Sequence, residues 1–257
     1  MTDSAALIES RRHTVRDTHW TQPMRWLALG WRDLMRRPLP GVVHGLALAL
    51  FGAALFVLAH DRFWFLAGAF SGFLLVAPVL ATGLYAVSRA LERDERAQLD
   101  TALKAWIPRD HRLVLFGVLL SLAGTAWVLT SASLITAQAG AMVRTPADFV
   151  RHVVLGPTLL FEAWLVLGAV LAAPVFASSV VALPLLLDRD DGVLAAVLTS
   201  WRCVLANPAT MALWAALLIA LTVLGMATLL LGLVVVVPWL AHASWHAYRD
   251  LVVDASR

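Results

Sequence analysis

The sequence predicts an all-α polytopic membrane protein. Six transmembrane helices form three hairpins, with short amphipathic interfacial helices between them. Three observations predict it. Hydrophobic residues make up 60% of the 257 and charged residues only 14%, whereas a soluble domain carries about 45–50% and about 25%. The charges sit between apolar runs long enough, as helices, to cross a hydrocarbon core about 30 Å thick. The plan of a Trp-bearing amphipathic segment followed by two apolar runs recurs along the chain. A β-barrel is excluded, because its strands alternate apolar and polar residues in segments of about ten and no such alternation is present.

Residues 1–20 read as a disordered cytoplasmic tail in which Arg11, Arg12 and Arg16 supply topogenic charge. This polar stretch lacks the apolar centre of a signal peptide, so the first apolar run is expected to be a retained span. Residues 21–253 read as a single six-helix transmembrane domain. Its first segment has Thr21 or Gln22 as cap, Pro23 where a first-turn proline is tolerated, and Pro38 as its stop. Leu27, Trp31 and Leu34 share a face while Arg25, Arg32, Arg36 and Arg37 point elsewhere, which predicts a helix lying in the interface.

Span one is expected over Gly41 to Ala59, closed by His60-Asp61-Arg62. Span two covers Phe63 to Ser88, kinked at Pro78, with Tyr85 and Arg89 at its far end. In the polar stretch that follows, Asp100 is expected to cap a short helix carrying Leu103, Trp106 and Ile107. Span three is Leu113 to Ile135, whose Ser and Thr hydroxyls can bond back to the helix. After a loop at 136–156, span four covers Thr158 to Leu187, with Glu162 near its start and Pro174 in its middle. Asp191 then caps a helix carrying Leu194, Val197, Leu198, Trp201 and Leu205, ended by Asn207-Pro208. The stretch 208–250 would be roughly 64 Å long as one helix, so it is split into spans five and six with a turn between Gly225 and Gly232.

With these spans, only Arg62, Arg144 and Arg151 of the 20 Lys and Arg lie on one side. The positive-inside rule then puts both termini in the cytoplasm. A pseudo-threefold internal repeat follows, with units of about 21–93, 99–189 and 191–253. Trp31-Arg32 stands seven residues before Pro38, and Trp201-Arg202 seven before Pro208. Pro78 precedes Arg89 by eleven residues, and Pro238 precedes Arg249 by eleven.

No phosphate-binding Gly loop, nucleophile elbow, metalloprotease His-Glu pair or Cys-rich motif is present, so no catalytic residue, metal site or cofactor is assigned. The single cysteine, Cys203, reads as a small apolar space-filler. The net charge of +3 follows from topogenic arginines, without the soluble basic surface that nucleic-acid binding needs. The lipid bilayer and other membrane proteins are the expected partners.

The last stretch, Leu231 to Val253, begins as pure hydrocarbon and ends in polar and aromatic groups. His242 and His246 stand four apart and share a helix face. By depth, His44, Tyr85, Arg89, Asp188, Arg189, His242, His246 and Arg249 fall in one cytoplasmic layer. That layer reads as an interfacial network or as a polar pocket for a headgroup, a metal or a haem. Neither His242 nor His246 is expected to bind metal or haem, and His242 is expected to bond to another span.

Four segments, RWLALGWRDL (Arg25 to Leu34), SGFLLVAPVLATGLYAVSRALER (Ser71 to Arg93), FASSVVALPLLLDR (Phe176 to Arg189) and PWLAHASWHAYRDLV (Pro238 to Val252), carry a resemblance. The chain resembles, over nearly its whole length, a family of bacterial integral membrane proteins of unknown function, domain of unknown function 2189. Some of its members bear a cytochrome c oxidase subunit I label. The resemblance implies an inner-membrane protein with an oxidase connection. Haem and copper binding in an oxidase core needs histidines spread over several spans, and this chain lacks that spread. Two functions stay open: a non-catalytic scaffold or assembly accessory of a membrane complex, and a transporter or small-ligand-binding protein with a polar cytoplasmic pocket.

Overall fold

The computed structural model describes residues 2–59, 64, 81–106, 111–138 and 143–254. In chain order the elements are α1 (Thr2–Ser10), β1 (His13–Val15), α2 (Gln22–Arg36), α3 (Pro38–Ala59), α4 (Thr82–Glu92), α5 (Leu99–Trp106) and α6 (His111–Gln138). There follow α7 (Pro146–Phe149), a π-helical turn (Val150–Val154), α8 (Leu160–Ser179), α9 (Ala182–Asp188), α10 (Val193–Ala206), α11 (Pro208–Ala227), α12 (Leu233–Leu251) and β2 (Val252–Asp254).

Among the described residues, four helical stretches are long and apolar enough to cross a membrane: Pro38–Leu58, His111–Gln138, Leu160–Asp188 and Pro208–Ala227. They correspond to expected spans one, three, four and five. Leu50, Val57, Leu58, Leu122 and Leu129 are exposed on them, as lipid-facing side chains are. The turn His60-Asp61-Arg62, the kink at Pro78 and most of span two lie outside the described residues, which hold Trp64 and the span's end, α4. The hydroxyls of Ser121, Thr125, Thr130, Ser133 and Thr136 in α6 donate to carbonyls one turn back, as expected of polar side chains in an apolar helix.

Prolines set the interruptions. The stretch 160–188 is not one straight span but α8 and α9, broken at Val180 and Val181. The break lies one turn before Pro184, whose missing N–H and ring displace the carbonyl four residues back. The N–H of Val181 is satisfied by Ser200 Oγ at 3.1 Å. Between α11 and α12 the chain turns at 228–232 with positive φ at Leu229 and Leu230. Thr228 Oγ1 accepts from the Gly232 N–H at 2.8 Å and closes that turn, inside the interval that the sequence marks.

The chain divides into two compact units. One comprises Met1–Ala49, Pro78–Phe116 and Phe176–Arg257, the other Leu50–Ala77 and Gly117–Val175. In the smaller unit, Ile135, Val143, Val153 and Leu160 form a buried cluster against which Phe149, Phe161 and Trp164 pack. Trp164 Nε1–H donates to Ser131 Oγ at 2.6 Å. The stretch expected as a loop at 136–156 contains α7, closed by a capping box between Thr145 and Asp148.

The larger unit is built on α12, which buries Leu240, Ala241, His242, Ala243, Trp245, Ala247, Tyr248 and Leu251. Helix α2 lies against it at backbone contact. A Cβ on Gly30 would stand 2.5 Å from the Ala243 nitrogen and 2.8 Å from its Cα. A Cβ on Gly45 of α3 would overlap the Val234 carbonyl, the group that Pro238 deprives of its helical donor. The face α2 buries is Trp26, Leu27, Gly30, Asp33 and Leu34. Trp31, expected on that face, is instead exposed and meets the Trp239 ring edge-on at 5.4 Å.

Of the tail expected at 1–20, residues 2–20 are described and hold α1 and β1. Strand β1 pairs antiparallel with β2, His13 opposite Asp254, which adds a small sheet to the expected all-α fold. His13 Nε2–H donates to both oxygens of Asp191 at 3.0 Å, Glu9 Oε1 accepts from the Gly192 N–H, and Arg202 donates to the Ser10 carbonyl at 2.6 Å. Asp191 therefore holds the tail rather than capping α10, whose N-cap is Gly192. Asp100 likewise is no cap. It sits in the first turn of α5 and pairs with Lys104 at 2.9 Å. Cys203 is fully buried, and burial pushes its thiol up to about 12, which suits a space-filler and not a nucleophile.

Overpacking a backbone contact costs about 1–3 kcal/mol. Gly30→Ala and Gly45→Ala are each expected to lower the thermal unfolding midpoint in detergent. Gly192→Ala, where the new Cβ meets only Glu9 Oε2 at 3.4 Å, is expected to leave it nearly unchanged. An unchanged midpoint for Gly30→Ala would reject the close α2–α12 packing.

Candidate functional site

The last turns of α12 project polar side chains in two directions. Trp245 and Arg249, four residues apart, share one direction. With Arg89 and Glu92 of α4, Arg93 just after it and Asp188-Arg189 at the end of α9 they line a polar cleft of about 460 Å³. The Asp188 carboxylate is enclosed, its side chain only 3% exposed. It accepts from the Tyr248 hydroxyl at 2.8 Å, from Arg93 Nη2 at 3.1 Å and from Arg189 Nε at 3.3 Å. Arg249 Nη1 stands 3.7 Å from the same carboxylate. Glu92 accepts from Arg249 Nε at 2.9 Å and from Trp245 Nε1 at 3.1 Å. Arg89 donates to the Leu187 carbonyl at 2.7 Å and so ties α4 to the end of α9.

The other direction leads into a buried chain of bonds. His246 Nε2–H donates to Asp33 Oδ2 at 2.9 Å, and the Ser88 hydroxyl donates to the same oxygen at 2.8 Å. His242 Nδ1 lies 2.7 Å from Ser88 Oγ. Because the serine proton is given to Asp33, His242 is the donor in that bond. His242 is fully buried, and its Nε2 has no hydrogen-bond partner among the described residues. Burial opposes an ionised Asp33. The bonds from His246 and Ser88 outweigh it and hold the carboxyl below its usual value. A fourth carboxylate, Asp250, accepts from Gln22 at 2.6 Å, Trp26 Nε1 at 2.9 Å and Arg16 at 3.1 Å.

The eight residues singled out from sequence thus separate. Arg89, Asp188, Arg189 and Arg249 line the cleft. His242 and His246 belong to the Asp33 chain, and His242 bonds to α4, the end of expected span two. His44 is buried in α3 and donates through Nδ1 to the Pro40 carbonyl at 2.7 Å, and Tyr85 is buried with its hydroxyl facing Ser244. Neither is in the cleft. Asp188 and Asp250 hold Tyr248 and Trp26.

Sequence reading missed Asp33, Ser88, Glu92 and Arg93. Asp33 stands seven residues after Trp26, on the buried stripe of α2; a carboxylate on that face requires a partner. Ser88 and Glu92 are one helical turn apart and mark the faces of α4 that meet His242 and Arg249. No sequence signal links them to α12.

The long apolar helices define an integral membrane protein that sits in a lipid bilayer. Residues 65–188 match the model of a family described as a predicted integral membrane protein (DUF2189), a family of unknown function. The match carries α4 and Asp188 of the cleft and stops short of Arg189 and α12, so it covers less than the resemblance read from the sequence. No curated protein and no solved structure matches the chain.

Because the folded-state pKa of Asp33 is lowered, its contribution to stability is present above 3.8 and is lost as pH falls through the lower value. Asp33→Asn is expected to cost about 1–3 kcal/mol near neutrality. The gap in unfolding midpoint between wild type and variant should close as pH drops below 3.8. A gap that stays constant down to the acid limit would mean that Asp33 is not held ionised.

Proposed function

We propose that the chain is a non-catalytic multi-pass protein of a bacterial inner membrane, acting as a scaffold or assembly accessory of a membrane complex. The carrying observation is how its carboxylates are used. Asp33, Glu92, Asp188, Asp191 and Asp250 each accept from side chains of other segments, so the ionisable groups shape a platform in place of attacking a substrate. The proposed topology has six spans in three hairpins with both termini cytoplasmic and the interfacial helices on that side. Support for the repeat comes from two alike joints: α2 passes to α3 through Arg37 and Pro38, and α10 passes to α11 through Asn207 and Pro208. The cleft beside Arg249 favours a second reading, in which the protein binds a small ligand.

Two experiments test this. In a Cys203→Ser background, a membrane-impermeant thiol reagent on intact cells should label Ala147→Cys and spare Ser256→Cys; labelling at both would give an odd number of spans and reject the hairpin plan. At native expression level, the protein should migrate in mildly solubilised membranes as part of a complex well above its own 27.9 kDa. Deleting it should then lower the amount of that complex. A free monomer, with no complex altered by deletion, would reject the scaffold role.

A further inference from the structure

We propose that the cleft lined by Arg89, Arg93, Arg189 and Arg249 is a binding site for a phosphate dianion, the terminal phosphate of a lipid headgroup or of a soluble phosphate. Four guanidinium groups face two carboxylates, Glu92 and Asp188, which leaves two positive charges in excess. A terminal phosphate at neutral pH carries about −1.5 to −2, which matches that excess, whereas a carboxylate or a phosphodiester carries only one charge.

The hydrogen-bonding capacity points the same way. Each guanidinium has five N–H donors and no acceptor. The two carboxylates are already engaged: Asp188, with its side chain only 3% exposed, by Tyr248, Arg93 and Arg189, and Glu92 by Trp245 and Arg249. Donors are therefore in surplus and the protein's own acceptors are nearly used up. Phosphate oxygens suit such a surplus, since arginine forks bind phosphate bidentately. A metal cation is disfavoured by the same charge.

Shape and place agree with the charge. The volume of about 460 Å³ falls in the range of about 300–1,000 Å³ usual for ligand pockets and accommodates a phosphate with part of its ester. Asp188 is the last residue of the membrane-capable stretch Leu160–Asp188, so the cleft opens at the depth where headgroups lie. The side chains of Arg93, Arg189 and Arg249 are 52%, 32% and 31% exposed, so an incoming anion reaches them without any element moving.

The test is calorimetric titration of the full-length protein in a phosphate-free neutral detergent. The probes are inorganic phosphate, dioctanoyl phosphatidic acid and, as the phosphodiester comparison, dioctanoyl phosphatidylglycerol. Phosphatidic acid or inorganic phosphate should bind at one site per chain, and phosphatidylglycerol several-fold more weakly. Binding of phosphatidic acid alone assigns the site to lipid; equal binding of inorganic phosphate assigns it to a soluble anion. Arg93→Gln, on the rim, should weaken binding about tenfold or more, and Arg189→Gln repeats the test at a second position. Arg36→Gln, on α2 and outside the cleft, should leave binding unchanged. In the wild type, binding should weaken as sodium chloride is raised. Absence of binding, equal affinity for phosphatidylglycerol, or binding indifferent to Arg93→Gln and Arg189→Gln would overturn the proposal.

Discussion

The larger unit depends on Asp33. A carboxylate on the buried stripe of an otherwise apolar helix face is expensive unless its oxygens are paired. Here one oxygen accepts from Ser88 of α4 and from His246 of α12, and His242 extends the chain through Ser88. Three helices that are distant in sequence are thereby fixed in one register, because each can meet the carboxylate from only one face. In apolar surroundings such bonds are strengthened, and so is the penalty for breaking one. That accounts for two histidines on a helix that begins as pure hydrocarbon.

The same logic extends to the chain ends. Residues 1–20 are polar and, without partners, would stay solvated. His13, Thr18 and Arg16 are held by groups placed far along the sequence: Asp191, Asn207 and Asp250. Strand β1 then completes its backbone bonds on β2. The N-terminal segment and the last helix thus become one structure.

The helical membrane class was legible in composition and in the apolar runs, because crossing lipid forces every backbone group into a helix and makes the signal long. The turn after α11 was legible only as an interval, since a helix of that length would overrun the bilayer. What escaped was whatever depends on pairing between distant segments. Asp191 looks like a cap because caps are local, yet His13 takes it. Trp31 looks like the buried face of α2, but Gly30 brings the α12 backbone so close that Trp26 and Asp33 are covered instead. In the candidate layer, Arg89, Asp188, Arg189 and Arg249 were legible because polar groups at span ends mark a depth. Depth is one coordinate, and it does not distinguish the cleft from the neighbouring histidine chain or from His44.

Topogenic charge explains how many arginines lie at the ends of the spans, but not how they are arranged. Sorting by sign needs only that positive side chains lie on one side; it is satisfied equally well by arginines spread over the surface in water. Four that line one cleft with two carboxylates, both already engaged by Tyr248 and Trp245 as well as by arginine, repel one another more than four that are spread out. Orientation alone gives no return for that repulsion. A structural tie between α4, α9 and α12 would be made as well by equal numbers of acids and bases. The surplus is what a bound anion neutralises, so the arrangement is better explained by a ligand than by topology.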